Sequence, residues 1–369
     1  MFQRIMALIY KEILAVWRDK KSRMVLIGPP LFQLMIFSFA ATLDVKNVHI
    51  GILNRDHGEQ SIELVQRFNG APTFSKITYL QSIDEIAPFV DNQEGVMVLS
   101  IDEQFSRNLD ADKKADVQII LDGRKSNTAQ IVAGYASSVI QQFNHDFAEK
   151  YNIKQQQTAI VPRNWFNPNL IYTWFNVPNL SGILTMLVAL IVTALSIARE
   201  RELGTFDQLL VSPLLPIEIL LGKSIPAIII GMIEGTIIIA AAVFIFRVPF
   251  TGSLLDLYLG MFVFICAIVG VGLFISSLSS TQQQAILGGF IFMAPAVLLS
   301  GFATPIENMP TWLQYLTYAN PLRYYLVIAK GVFLKAMPLS IVLSNVWPMM
   351  IIAFCTLSLS TWFFRHRLE

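Results

Sequence analysis

Six stretches of this chain each stay apolar for the length of a bilayer crossing, and no other feature limits its fold so strongly. A helix needs about 20 apolar residues to cross roughly 30 Å of hydrocarbon. Residues 24–43, 177–198, 224–246, 254–278, 284–302 and 346–364 meet that requirement. Hydrocarbon offers no water to satisfy backbone N–H and C=O groups, so each stretch must be helical. Composition closes off the soluble alternative: 14% of residues are charged, against about 25% in soluble domains. The expected fold is a membrane all-α domain of six transmembrane helices with an inserted extracytoplasmic α/β domain.

The first stretch has the flanks of a retained span, not of a cleaved signal peptide. Ser38-Phe39-Ala40 is a weak cleavage sequence, and the segment before it is long and patterned. Phe2, Ile5, Met6, Ile9, Ile13, Val16 and Trp17 recur at helical spacing, while Arg4, Lys11 and Glu12 lie mostly off that stripe. Residues 1–23 therefore read as an amphipathic helix resting on lipid in the cytoplasmic interface, followed by a first span at 24–43.

Basic residues of short loops set the orientation. An inside N-terminus places Arg4, Lys11, Arg18, Lys20, Lys21, Arg23, Arg199, Arg201, Lys223, Arg365 and Arg367 in the cytoplasm. Only Arg247, Arg323, Lys330 and Lys335 then lie outside. Both termini are expected in the cytoplasm. The net charge of +1 gives no footprint for nucleic acid, which is not expected as a partner. Cys266 and Cys355 sit inside apolar runs and imply no disulfide framework.

Residues 44–176, between the first two spans, have a different texture. Residues 48–53, 96–101 and 117–121 read as strands, and 61–68 and 127–151 as helices. The last of these carries Ile131, Tyr135, Val139, Phe143 and Phe147 at four-residue intervals. Strands alternating with helices imply a small α/β domain. His49, His57 and His145 have no ligand-type spacing to each other or to cysteine. The mixed-sign run around Lys113 and Lys114 reads as a solvated loop, and Asp122-Gly123-Arg124 as a turn. No nucleophile stands with a base, so no enzyme is expected here.

After the second span the chain runs Glu200-Arg201-Glu202-Leu203-Gly204-Thr205-Phe206, then reaches Leu209, Leu210 and Pro213. Alternating charges lead to a break at Gly204 and a short helix with Phe206, Leu209 and Leu210 on one face. Two readings stand side by side: a peg for another protein's groove, or an interfacial helix on lipid headgroups.

These residues resemble a family signature. Glu200-Arg201-Glu202, Gly204-Thr205, Leu209-Leu210 and Ser212-Pro213 are similar to the pattern of type-2 ABC exporter permeases. So are Asn167-Pro168-Asn169, the run from Pro305 to Leu313, and Asn320-Pro321-Leu322-Arg323-Tyr324. The resemblance covers almost the whole chain and is nearest the bacterial YbhR/YhhJ-like branch, associated with drugs or other amphiphiles. It implies an ABC type-2 exporter fold in the bacterial inner membrane, with a second permease copy or paralogue and a separate ATP-binding subunit. The coupling helix would span about 199–214, with Glu200, Arg201, Glu202, Gly204, Thr205 and Leu209 as the transmission contact. The remainder, 177–369, would hold the other five spans, with about 303–337 re-entrant. A periplasmic adaptor is a further partner it would accommodate.

Such a permease uses ATP through its partner and binds no cofactor itself. Gly222-Lys223-Ser224 imitates the end of a phosphate-binding loop, but Ile217 stands where the first glycine is required. The triplet opens a span, and Lys223 is expected to mark only its cytoplasmic edge. Glu234, mid-way along the third span, is costly in hydrocarbon unless protonated, paired or facing a wet cavity. It is the candidate for the substrate pathway, beside the small-residue pair Gly231 and Gly235. Two other classes stay open: a cation- or proton-coupled secondary transporter, and a non-transporting sensor with an external ligand-binding domain.

Overall fold

A computed structural model of the protein describes residues 2–18, 20–39, 47–111, 113–151, 166–167, 171–206, 208 and 214–366. The chain forms two compact units: Met1–Ala41 with Arg163–Glu369, and Thr42–Pro162.

In the first unit, α1 (Phe2–Arg18) and α2 (Lys20–Phe39) precede α7 (Tyr172–Glu202). Between them α3 (Glu59–Gly70), α4 (Ile86–Asp91), α5 (Phe105–Asp110) and α6 (Ser126–Lys150) belong to the second unit. Then come α8 (Pro216–Phe244), α9 (Leu254–Leu278), α10 (Gln282–Leu298), α11 (Thr311–Thr317), α12 (Pro321–Lys335) and α13 (Leu339–His366). Among the described residues, α7, α8, α9 and α13 are long and apolar enough to cross a membrane. That is four, against the six stretches expected. Helix α10 is apolar but has only 17 residues, about 25 Å at the helical rise. Helix α2 opens on Lys20, Lys21 and Arg23 and carries Pro29 and Pro30 within it.

Helix α7 is the central post, with 78% of its most apolar window buried, against 22% for α13. Tyr325 of α12 is fully buried and stacks on Phe264 of α9 at 4.7 Å between ring centroids. Gly182 of α7 permits that approach, since a Cβ there would lie 2.7 Å from the Tyr325 ring. At 31 residues, α7 is about 46 Å long. That exceeds the hydrocarbon thickness, and its last turn carries Arg199, Glu200, Arg201 and Glu202 beyond the apolar run.

The second unit holds a four-stranded sheet in the order β2-β1-β3-β4. Its strands are β1 (Val48–Asn54), β2 (Phe74–Tyr79), β3 (Met97–Ile101) and β4 (Val117–Leu121). Strand β1 pairs in parallel with β2 and β3, and β4 runs antiparallel to β3. Alternation along β1 and β3 divides the core. Ile50, Ile52 and Leu99 meet Leu64 and Phe68 of α3 (Glu59–Gly70), Phe105 of α5 (Phe105–Asp110), and Val132 and Phe143 of α6 (Ser126–Lys150). Leu53 and Val98 face the other way, onto Phe89 of α4 (Ile86–Asp91).

Candidate functional site

The candidate site grows from the way α7 ends. Gly204 has φ +69°, a left-handed conformation that glycine adopts without a Cβ penalty. The Gly204 N–H donates to the Arg201 carbonyl at 3.1 Å, and the Thr205 N–H to the Glu200 carbonyl at 3.0 Å. These two bonds form a Schellman stop, which satisfies carbonyls that a helix end otherwise leaves unpaired. Gly204 and Thr205 are thus explained first as the local geometry that halts α7.

The stop leaves three consecutive side chains pointing at different elements. Glu200 is nearly buried and lies 2.7 Å from Lys11 Nζ of α1 and 2.8 Å from Lys223 Nζ of α8. Arg201 Nη1 donates to the carbonyls of Ser277 (2.7 Å) and Ser279 (3.0 Å), where α9 ends. Glu202 Oε2 accepts from the Gln282 N–H at 2.8 Å. A carboxylate is favourable at that amino-terminal turn of α10, where unpaired N–H groups gather. Phe206 packs under the Arg201 guanidinium, 4.8 Å from it, and meets Phe364 of α13 edge-on. One short segment therefore touches α1, α8, α9, α10 and α13.

Phe206, which spacing placed on the apolar face of either a docking peg or an interfacial helix, is half-buried in these contacts. Leu209, and its neighbour Leu210, lie outside the described residues. Leu203 is instead the exposed apolar side chain here, at 64%.

Lys223, Glu12 and Lys11 are the participants that spacing alone did not single out as partners. The Lys223 side chain is 1% exposed; besides Glu200 it reaches Glu12 Oε1 (3.0 Å), Ser196 Oγ (3.2 Å) and the Ser196 carbonyl (3.3 Å). The available signal is a lysine about two turns inside an apolar helix, together with an acidic position off the α1 stripe. Upstream, Glu218 caps α8 by accepting from the Leu215 N–H at 3.0 Å, with Pro216 at the first helical position.

Glu234 lies elsewhere, in the middle of α8. It is 5% exposed, and its Oε1 has no hydrogen-bond partner among the described residues. Gly231 and Gly235 bracket it. A Cβ on Gly231 would stand 3.3 Å from Ile265 of α9, and one on Gly235 3.1 Å from Thr185 Oγ1 of α7. Thr185 Oγ1 likewise has no partner among the described residues. The two glycines let α9 and α7 come close to α8 on either side of Glu234.

In the second unit the polar residues serve the fold. Burial pushes the Asp56 carboxyl up, but N–H donation from Ser106 (2.8 Å) and Gly58 (3.3 Å) outweighs it and holds Asp56 below its ordinary value. His49 Nε2 pairs with Thr78 Oγ1 at 2.8 Å, and burial lowers its pKa. His145, Asp146 and Glu149 gather on one turn of α6, though Asp146 is bound by Arg67 at 2.6 Å. Arg124 closes the β4 turn through Asp122 and the Val90 carbonyl.

Comparison with known proteins decides the family. The profile of the ABC-2 family transporter proteins matches residues 20–362. A probable multidrug ABC transporter permease of Escherichia coli, YbhR, is 45% identical over 367 residues, covering 100% of both chains. The chain belongs to the ABC-2 transporter family. A second relative from that organism, the probable multidrug ABC transporter permease YbhS, is 32% identical over 90% of this chain and 89% of its own. The inner membrane transport permease YhhJ is 26% identical over 89% of each. In an ABC-2 permease the ATP-hydrolysing site belongs to another subunit, so membership implies an ATP-binding partner. The long apolar helices make this a multi-pass membrane protein.

Proposed function

We propose that this ABC-2 permease is the membrane half of an ATP-driven exporter in a bacterial inner membrane, and that its cargo is drug-like or amphiphilic. The observation that carries the reading is the convergence of α1, α8, α9, α10 and α13 on Glu200, Arg201, Glu202 and Phe206. A push on that segment from outside reaches every one of those helices, as a transmission contact requires. The names of YbhR and YbhS support the cargo class.

In this reading α2 and α10 complete six spans, both termini are cytoplasmic, and residues 44–176 form an extracytoplasmic domain. Residues 303–337 fold back into the outer leaflet, and two permease copies or paralogues enclose the pathway. The coupling segment spans about 199–214, its first residues being the last turn of α7. Glu202, Gly204, Thr205 and Leu209 meet the ATP-binding subunit, with Leu203 beside them, while Glu200 and Arg201 pass its movement inward. Glu234 faces the pathway, and a periplasmic adaptor joins from the far side. The chain itself holds no cofactor.

Reconstitution with the ATP-binding subunit in proteoliposomes tests the function. ATP-dependent movement of ethidium, lost when the ATP-binding subunit's hydrolytic site is inactivated, is the expected result. Movement that persists without ATP and stops with an uncoupler would replace this reading with ion-coupled transport.

A further inference from the structure

The triplet Gly222-Lys223-Ser224 looked in sequence like a broken phosphate loop, and its structural setting gives it a different purpose. A Cβ on Gly222 would lie 2.6 Å from Leu8 Cβ, so the glycine lets α1 come close against α8. That approach brings Glu12, one turn after Leu8, to Lys223. Ser224 turns its hydroxyl back to the Leu220 carbonyl at 2.7 Å and needs no outside partner.

Four charges then alternate in a chain: Lys11, Glu200, Lys223 and Glu12. They come from three elements, α1, α7 and α8, and sum to zero. Burying the Lys223 ammonium is costly unless partners surround it, and removing one partner strands the others. The cluster is therefore satisfied in one arrangement of the three helices and poorly satisfied in any other. On its far side α1 leaves Phe2, Met6, Tyr10, Ile13 and Trp17 exposed at spacings of four, four, three and four. That apolar stripe suits the lipid interface.

We propose that Lys223 is a positioning residue that fastens α1 to the α7–α8 junction, making α1 a moving part of the transmission and not only a membrane anchor. This rests on the reading of the α7–α8 loop as the contact for an ATP-binding subunit. When that loop is pushed, Glu200 and Lys223 carry α1 along its bed of lipid. Without the Lys223 ammonium the loop can still dock, but its movement no longer recruits α1.

The test uses the full chain with Cys266 and Cys355 replaced by Ser, and nitroxide labels at the exposed positions 10 and 203. Distances are measured in nanodiscs for Lys223→Met, Glu12→Gln and Lys223→Arg; ATP hydrolysis is measured after adding the ATP-binding subunit. The parent is expected to give one narrow distance population. Lys223→Met and Glu12→Gln should broaden it, and Lys223→Arg should restore it. With equal subunit bound, permease-stimulated ATP hydrolysis should fall about tenfold in Lys223→Met, the scale of an ordinary coupling free energy. Glu12→Gln, on the peripheral helix, keeps the test open if Lys223→Met folds poorly. Unchanged distances in Glu12→Gln or Lys223→Met overturn the proposal, as does wild-type stimulation in Lys223→Met. If the parent binds no ATP-binding subunit, the docking reading fails, and the distances alone decide whether Lys223 fastens α1.

Discussion

The ammonium of Lys223 stands 3.0 Å from a carboxylate oxygen of Glu12, a residue 211 positions earlier in the chain. With Glu200 at 2.8 Å, that lysine joins the first helix of the protein to both sides of the α7–α8 loop. Breaking a buried pair by removing one partner costs about 3–5 kcal/mol. Lys223→Ala should lose that amount in reversible unfolding from mixed micelles. Lys223→Met combined with Glu12→Gln should cost less than the two single changes summed, because the partners interact. Additive losses would mean that the pair contributes nothing beyond its separate residues.

Gly204 should tolerate little. Its φ of +69° imposes about 1–2 kcal/mol on a residue with a Cβ. Gly204→Ala is expected to loosen the end of α7 by that amount, and Gly204→Asn by less, since asparagine enters the left-handed region more readily. Hydrogen exchange of the 199–206 amides reads this directly.

Arg201 should not be replaceable by lysine. One guanidinium nitrogen holds two carbonyls while its plane covers Phe206, and a lysine on a shorter, rounder head cannot keep all three. Arg201→Lys is expected to cost about 1–3 kcal/mol of stability through the stranded carbonyls. It should also reduce permease-stimulated ATP hydrolysis more than it reduces subunit binding.

Glu234→Gln is nearly isosteric and leaves the packing of Gly231 and Gly235 untouched. At matched membrane expression, ATP-driven ethidium efflux should fall while the unfolding midpoint stays. Unchanged efflux would assign Glu234 a purely structural place on α8.

The second unit carries its own acid dependence. Asp56 is held below its ordinary value, so it stabilises the fold at neutral pH. That contribution is lost as pH falls below about 4 toward its native value. Asp56→Asn should destabilise the full-length protein at pH 6, with the gap from wild type narrowing by pH 3 in thermal unfolding. A gap of constant size would show that the charge on Asp56 is not what the Ser106 and Gly58 N–H groups hold.

How far the sequence reveals this molecule depends on the distance between interacting residues. Helix α7 is legible because its apolar run is continuous, and its end because Gly204 follows a charged turn. Strands β1 and β3 carry buried β-branched residues, β4 has half-buried ones at Val117, Ile119 and Ile120, and all three announce themselves. Strand β2 does not: it is an edge strand whose Ser75 and Lys76 face outward, so no alternation marks it. Glu200 is recognisable as important, yet its pairing with Lys11, 189 positions away, is set by packing alone. Phe206 shows the same limit, because helical spacing gives its face but cannot tell that Phe364 will cover it. Spacing puts Ile9 on the apolar stripe of α1 and leaves Tyr10 out, yet Ile9 is buried and Tyr10 exposed. Nothing in the sequence marks the Leu8–Glu12 face that docks on Gly222 and Lys223.

A photo-crosslinking residue in place of Leu203, in cells making the ATP-binding subunit, tests the central claim most directly. Leu203 is exposed at the end of α7, and Tyr79, exposed in the second unit, is the control position. The transmission reading predicts a crosslink to the ATP-binding subunit from position 203 and none from 79. No crosslink from 203, or equal crosslinking from both, would contradict it.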